Sequence, residues 1–249
     1  MSEYKTLNQD ENEDLVILLG GLGSRLRSVV KDVPKPMALI NNKPFLKYIL
    51  DYWSQIGIKR FHLLTGYKSE IIENYFGHTF QNKDILYYKD QVPLGTGGAL
   101  KKFINNIPEN FDKKSILILN GDTWLEVNKV KLFKKIQEYQ DKILIAVRSV
   151  DFNDRYASFS LIEDQINEIN LPNKTKSIIN AGLYSVKISN LKEKMKHIRH
   201  KNFSFEEIVF PIFLEKNDMI ASKCIEKFID IGIPSDYEKA INYLTTKYN

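Results

Sequence analysis

The chain has 249 residues, 43% hydrophobic and 27% charged, which suits one large α/β domain or two small ones and excludes a wholly disordered chain. Its net charge of +5 is spread along the sequence, with lysines such as Lys131, Lys134 and Lys135 at outward helical positions, so a solvated basic surface is expected and not a nucleic-acid partner. The single cysteine, Cys224, excludes an internal disulfide; with no signal peptide and no apolar run of roughly 18 residues, a cytoplasmic protein without a membrane partner is expected.

Residues 1–14, MSEYKTLNQDENED, are rich in acids and amides and read as a polar tail, leaving 15–249 as the folded domain. Leu15 to Leu19 form an apolar run short enough for a buried strand. The chain then breaks into Gly20, Gly21 and Gly23, followed by Ser24 and Arg25. Glycines after a strand let backbone N–H groups approach a ligand closely, and a helix beginning near Ser24 would add a positive dipole end suited to phosphate. The spacing is not the dinucleotide fingerprint, and no Gly-Lys-Ser/Thr follows to make a Walker loop. Lys35 lies between Pro34 and Pro36, two fixed φ angles that predict a stiff, extended way of aiming a charge.

Pro44 to Gly57 has Phe45, Leu46, Ile49, Leu50, Trp53 and Ile56 at helical spacing, and Trp53 is read as core. RFHLLTGY predicts a strand ending at Gly66, with His62 a packed or hydrogen-bonded residue and not a metal ligand. A helix then follows with Ser69 as its N-cap, and a strand from Asp84. This alternation predicts βαβ units and a parallel sheet.

DQVPLGTGGAL, Asp90 to Leu100, places three glycines among apolar residues, with a helix beginning near Thr96. SILILNGDTW predicts a strand that delivers Asp122 at its carboxyl end, where open α/β sheets bind ligands; a carboxylate there can hold Mg²⁺. Helical periodicity returns over 128–140, and ILIAV from Ile143 is a further strand. From Asp151 to Lys187 the chain turns β-rich, an excursion expected to cover one side of the site. A basic helix is expected over Leu191 to His200, with His197 and His200 on the surface, and another after Ser204. Asp230 falls inside the apolar stretch FIDIGIP, where an unpaired charge would be costly and something should compensate it. Ser235 then reads as the cap of a closing helix.

GGLGSRL with PKPM downstream, PLGTGG, NGD and DIGIP resemble, in order, the signature of the sugar-1-phosphate nucleotidyltransferases. The resemblance covers about Leu15 to Tyr243. It implies a Rossmann-like, doubly wound, mostly parallel α/β sheet with a β-rich sugar-binding excursion, all within a single nucleotidyltransferase domain. It implies that a sugar 1-phosphate attacks the α-phosphorus of a nucleoside triphosphate and releases pyrophosphate. Leu19, Gly20, Gly21, Gly23 and Ser24 would bind the nucleotide, Arg25 and Lys35 would be catalytic cations, and Asp122 and Asp230 would hold Mg²⁺. Gly95 and Thr96 would contact the nucleoside, with Asp90 or Gln91 reading the base edge. Asn180, Gly182 and Glu206 would line the sugar, and Trp124 would border its pocket. The Glu-Lys pair that the family places before that Asn is replaced here by Asn170-Leu171, which leaves Lys174 or Lys176 to grip the sugar phosphate.

RSVVKDVPKPMA, NKPFL and FIDIGIPSDY are similar to a guanylyltransferase branch of the family, which implies GTP and a manno-configured heptose 1-phosphate. Mannose or glucose 1-phosphate with UTP, CTP or dTTP are the alternatives. A catalytically silent sugar-nucleotide-binding protein of the same fold is a further one, and the intact Arg25, Lys35, Asp122 and Asp230 argue against it. A homo-oligomer is compatible with this reading.

Overall fold

A computed structural model describes residues 14–21, 23–107 and 115–248. The segment 1–13 therefore lies outside the described residues. Asp14, grouped by sequence with the tail, is instead the buried first residue of β1 (Asp14–Leu18), where the His62 ring bonds its carboxylate. The strands that follow are β2 (Leu39–Ile40), β3 (Lys43–Pro44), β4 (Arg60–Thr65), β5 (Thr79–Phe80), β6 (Lys83–Lys89), β7 (Ser115–Asn120), β8 (Thr123–Leu125), β9 (Ile143–Val150), β10 (Ser158–Ile162), β11 (Gln165–Asn170), β12 (Ser177–Lys187), β13 (Met219–Lys223) and β14 (Phe228–Asp230).

Ten of these form one sheet in the order β10-β11-β13-β9-β12-β7-β1-β4-β6-β5. β7, β1, β4 and β6 are mutually parallel, and β13 is parallel to β9. β12 runs antiparallel between β7 and β9, joining the two parallel halves. β1 shows why the sheet is covered on both faces. Leu15 and Ile17 enter one core, Val16 and Leu18 the other, so a continuous apolar run is what this position requires.

The helices are α1 (Phe45–Ile56), α2 (Ser69–Phe76), α3 (Gly95–Asn105), α4 (Lys129–Glu138), α5 (Ile188–Met195), α6 (Phe210–Leu214) and α7 (Pro234–Tyr248). α1, α2, α4 and α7 bury their apolar faces on the Leu15/Ile17 side, and α3, α5 and α6 on the other, giving the doubly wound arrangement. In α1 the buried set includes Phe45, Leu46, Ile49 and Trp53, each worth about 1.5–3 kcal/mol of transfer energy, far more than helix propensity supplies. Gly57 ends the helix at φ 114°.

His62 is the hydrogen-bonded histidine expected. Its ring meets Asp14 Oδ2 at 3.0 Å and the Tyr88 hydroxyl at 3.1 Å, and Arg60 adds an ion pair to Asp14 at 3.7 Å. Three helix boundaries differ from the sequence reading. Lys68, in the left-handed region at φ 53°, takes the cap position expected of Ser69. α5 starts directly from β12 and stops at its last buried residue, Met195, so His197 and His200 are exposed beyond it. α7 starts at Pro234, a residue whose fixed φ suits a first helical turn, so Ser235 lies inside the helix.

Candidate active site

A cavity of about 400 Å³ opens at the carboxyl ends of β1, β4 and β7. Leu19, Gly20, Gly21, Lys35, Asp90, Gln91, Gly95, Thr96, Asn120 and Asp122 are among the residues that line it. The loop after β1 bears no α-helix. It makes a single 3₁₀ turn over Ser24–Leu26, so a long helix dipole is not aimed from there. The Ser24 side chain lies outside the described residues. Gly23 (φ 62°) packs on the Lys35 stem, and Arg25 is exposed, outside the cavity lining.

Lys35 is not in extended chain. Pro34 is extended, but Lys35, Pro36 and Met37 curl into a 3₁₀ turn, because proline fixes φ alone and leaves ψ to packing, here of the buried Pro36 and Met37. The turn brings Lys35 Nζ 2.7 Å from Asp122 Oδ2, the lysine side chain being 13% exposed.

Asp122 follows Gly121 at the end of β7. A Cβ on Gly121 would overlap Leu19 Cδ2 and lie 2.7 Å from the Leu18 carbonyl oxygen, so this crossing needs glycine. β8 starts at once and pairs with β14, setting Thr123 opposite Asp230, and the Ile231 N–H donates to the Asp122 carbonyl oxygen at 2.9 Å. Two acids remote in sequence thus share one ribbon end. Asp230 has the compensation its apolar stretch demanded. Tyr156 Oη donates to its Oδ2 at 2.8 Å, the Gly232 N–H to its Oδ1 at 2.7 Å, and Arg155 Nη2 stands 3.3 Å from Oδ2. Burial and then the Asp122 charge still push the Asp230 carboxyl above its ordinary range.

Those two carboxylates fit a hard divalent cation. They are like-charged, close, and supply only oxygen. No group of three or more His, Cys, Asp or Glu side chains suited to a metal occurs among the described residues, so substrate phosphates and water would complete the coordination, the usual manner for Mg²⁺.

Asp90 borders the cavity but is already engaged. Lys102 Nζ donates to its Oδ1 at 2.8 Å, and the carboxylate is 7% exposed. Gln91 is exposed at the rim. Thr96 lines the cavity, yet its hydroxyl turns to the protein, donating to Glu206 Oε2 (3.0 Å) and accepting from the Phe205 N–H (2.8 Å). The glycines of GTGG permit this contact. A Cβ on Gly98 would overlap the Lys201 carbonyl oxygen, so the first turn of α3 lies directly on the 201–205 segment. Gly98→Ala is expected to push that segment away, at about 1–3 kcal/mol of overpacking, and to loosen Glu206 with it. A lowered melting temperature together with a raised KM for whatever substrate group Glu206 faces would show both effects.

Glu206 is the second residue of a π-helical turn, Phe205–Val209, capped by the Ser204 hydroxyl as the sequence suggested. Both of its oxygens face protein donors. Oε1 meets the Tyr184 hydroxyl at 3.1 Å and Asn120 Nδ2 at 3.5 Å; Oε2 meets Thr96 and Ser204. The fully buried Tyr184 phenol, pushed well up by burial, also accepts from Asn180 Nδ2 at 2.7 Å. Gly182 (φ 74°) sits in the bulge of β12 and donates its N–H to Asn180 Oδ1 at 2.8 Å. Asn180, Gly182 and Glu206 are therefore brought together, joined by Tyr184 and Asn120, which the sequence reading left out.

Three residues lie apart from the cavity. Trp124 is not in its lining: it is 1% exposed in β8, with Tyr52 tilted against its ring and Tyr248 edge-on to it. Lys174 and Lys176 are exposed in the turn before β12 and lie outside the main cavity, Lys176 instead edging a shallow groove with Ser149 and Asn173. The cations that meet acids of the site from outside the motifs are Arg155 and Lys102. No local sequence signal marks either, because each meets its acid only through tertiary packing.

A glycine loop and a lysine at the strand ends of a doubly wound sheet, with one carboxylate after β7 and another on the β8–β14 ribbon, are the equipment of nucleotidyl transfer. The family model described as nucleotidyl transferase matches residues 15–247, and the chain belongs to that family. It is 38% identical to the D-glycero-alpha-D-manno-heptose 1-phosphate guanylyltransferase of Campylobacter jejuni, over 89% of this chain and 96% of that protein. To the protein of the same name from Aneurinibacillus thermoaerophilus it is 39% identical, over 91% and 96%. The fold matches the crystal structure of HddC from Yersinia pseudotuberculosis with a TM-score of 0.79 and 33% identity, covering 93% of this chain and 99% of that one. HddC has also been crystallised in complex with GMP-PN, with a TM-score of 0.76.

Proposed function

We propose that this protein transfers GMP from GTP to D-glycero-α-D-manno-heptose 1-phosphate, yielding GDP-heptose and pyrophosphate. The carrying observation is the cavity that gathers Lys35 and Asp122, with Asp230 across the ribbon, beside a carboxylate, Asp90, able to read a base. The two relatives bearing the guanylyltransferase name and the GMP-PN complex of HddC support the choice of guanine and heptose.

An oxygen of the sugar phosphate forms a bond to the α-phosphorus as the bond to the oxygen bridging the β-phosphorus breaks, and that oxygen leaves on pyrophosphate. A phosphate monoester is largely ionised at neutral pH, so the protein needs no strong base; it aligns the reactants and offsets charge. The glycine loop after β1 borders the cavity, where its free N–H groups would meet incoming phosphates, and Lys35 would supply positive charge at the reacting centre. Asp122 and Asp230 would hold Mg²⁺, which when bound neutralises phosphate oxygens and polarises the phosphoryl group. The product, an activated heptose, is a donor for carbohydrate assembly such as capsule or lipopolysaccharide. No helix among the described residues is long and apolar enough to cross a membrane, and a cytoplasmic enzyme is the reading that a GTP substrate supports.

Guanine presents N1–H and N2–H₂ as adjacent donors, which call for an acceptor. With Lys102 on Oδ1, Asp90 keeps Oδ2 for the base. Asp90→Ala is expected to lower kcat/KM for GTP by roughly ten- to a hundredfold, and far less for ATP or UTP. Steady-state assays of GTP, ATP, UTP, CTP and dTTP against heptose, mannose and glucose 1-phosphates test the whole reading. CTP, UTP or dTTP outperforming GTP would refute the base assignment.

A further inference from the structure

We infer that Arg155 is the cation that grips the phosphate of the sugar 1-phosphate, the role for which the sequence offered only Lys174 or Lys176. The inference rests on the proposed function, because it presupposes a sugar 1-phosphate as substrate.

Charge makes the need plain. Asp122, Asp230 and Asp236 bring three negative charges to the acid side of the site, and a cation is needed there beside any metal that Asp122 and Asp230 hold. Lys35 answers Asp122, and Arg155 answers the other two, with Nη1 on Asp236 and Nη2 3.3 Å from Asp230 Oδ2. Lys174 and Lys176 are exposed, and among the described residues no ion pair joins either to these acids, whereas Arg155 meets two of them.

Arg155 is also free to change partners. If it turns to a phosphate, Asp230 keeps Tyr156 Oη at 2.8 Å and the Gly232 N–H at 2.7 Å, and Asp236 keeps Lys239 Nζ at 2.8 Å. No carboxylate is left bare, so the exchange avoids the large penalty of an orphaned buried charge. Arg155 Nε is buried without a hydrogen-bond partner, a donor in reserve on a guanidinium whose fork matches phosphate oxygens. The guanidinium stacks 4.9 Å from the Tyr156 ring centroid, which limits its tilt. Gly232 leaves the space it occupies: a Cβ there would stand 3.0 Å from Nη2.

The test compares Arg155→Gln and Arg155→Lys with Lys174→Ala and Lys176→Ala, using whichever sugar 1-phosphate the wild type prefers. Arg155→Gln should raise KM for the sugar 1-phosphate by roughly ten- to a hundredfold while leaving KM for the nucleotide within about twofold. Arg155→Lys should recover part of the loss, since it restores charge without the fork. Calorimetric titration of the nucleotide-free protein should show weaker sugar 1-phosphate binding by Arg155→Gln, whereas the lysine variants match the wild type. A fall in kcat with both KM values unchanged would make Arg155 a support for Asp230 and overturn the inference, as would a KM increase confined to Lys174→Ala or Lys176→Ala. If Arg155→Gln fails to fold, the Arg155→Lys comparison decides by the same readouts, with an unchanged sugar 1-phosphate KM counting against the inference. Wild type active on a different sugar 1-phosphate would sink the heptose assignment alone; wild type inactive on every sugar 1-phosphate would sink both.

Discussion

Asp122→Asn and Asp230→Asn are each expected to lose turnover by about two to three orders of magnitude while the protein stays folded. The two halves of that statement have separate causes. The fold uses the backbone of Asp122, whose carbonyl oxygen accepts from Ile231, and an isosteric amide leaves that bond alone. The chemistry uses the side chains, and an amide lacks the charge that would hold a divalent cation between them. For Asp230 two effects on stability oppose each other. Burial and the Asp122 charge push its carboxyl up, and Asn relieves that repulsion, but the two oxygens accept from Tyr156, Gly232 and Arg155, and an amide offers one acceptor in place of two. A folded protein with a melting temperature at or modestly below the wild type, beside near-absent pyrophosphate release, is the expected pair of results. Mg²⁺-dependent turnover at the wild-type rate in either variant would remove these acids from the mechanism.

Lys35→Ala should be nearly as damaging, by about a hundredfold or more in kcat. Its side chain is 13% exposed and its ammonium set 2.7 Å from Asp122, so solvent would not replace the charge it places at the reacting phosphates. Arg25 makes an instructive contrast. It is exposed and stands outside the cavity lining, so Arg25→Ala is expected to raise the nucleotide KM by severalfold and to leave kcat little changed, the mark of uniform binding. Steady-state kinetics on both variants separates the two cations. Equal losses of kcat would mean that Arg25 closes over the triphosphate in the working complex.

The parts of this molecule that were legible in its sequence are those fixed by short-range pattern. The apolar runs of β1 and β7, the periodicity of α1 with Gly57 after it, and the acid after Asn120-Gly121 all declare themselves within a dozen residues. The four motifs, in order, placed Lys35, Asp122 and Asp230 in one centre, and the ribbon of β8 and β14 shows how they meet. What stayed hidden depends on partners far along the chain. Trp124 follows Asp122 by two positions, but β8 turns its ring into the core against Tyr52 and Tyr248. Asp90 reads as a free carboxylate until Lys102 is seen on it. Arg155 carries no motif at all, because its meaning comes from Asp230 and Asp236, in a part of the chain that sequence proximity does not connect to it.

The pairing of β8 with β14 has a consequence for how activity arises as the molecule folds. The parallel strands β1, β4 and β7 can assemble with α1 and α3 from the first half of the chain, and the nucleotide cavity comes almost entirely from that half. Asp230 arrives on one of the last strands, so the catalytic centre is among the longest-range contacts in the protein and carries the loop-closure cost of such contacts. A nascent chain on the ribosome, or a fragment ending before Phe228, can possess much of the nucleotide pocket and still lack half of the acid pair. The acid pair therefore depends on a closure that joins the middle of the chain to its last strands, and a chain cut before Phe228 would lack Asp230 whatever it kept of the cavity.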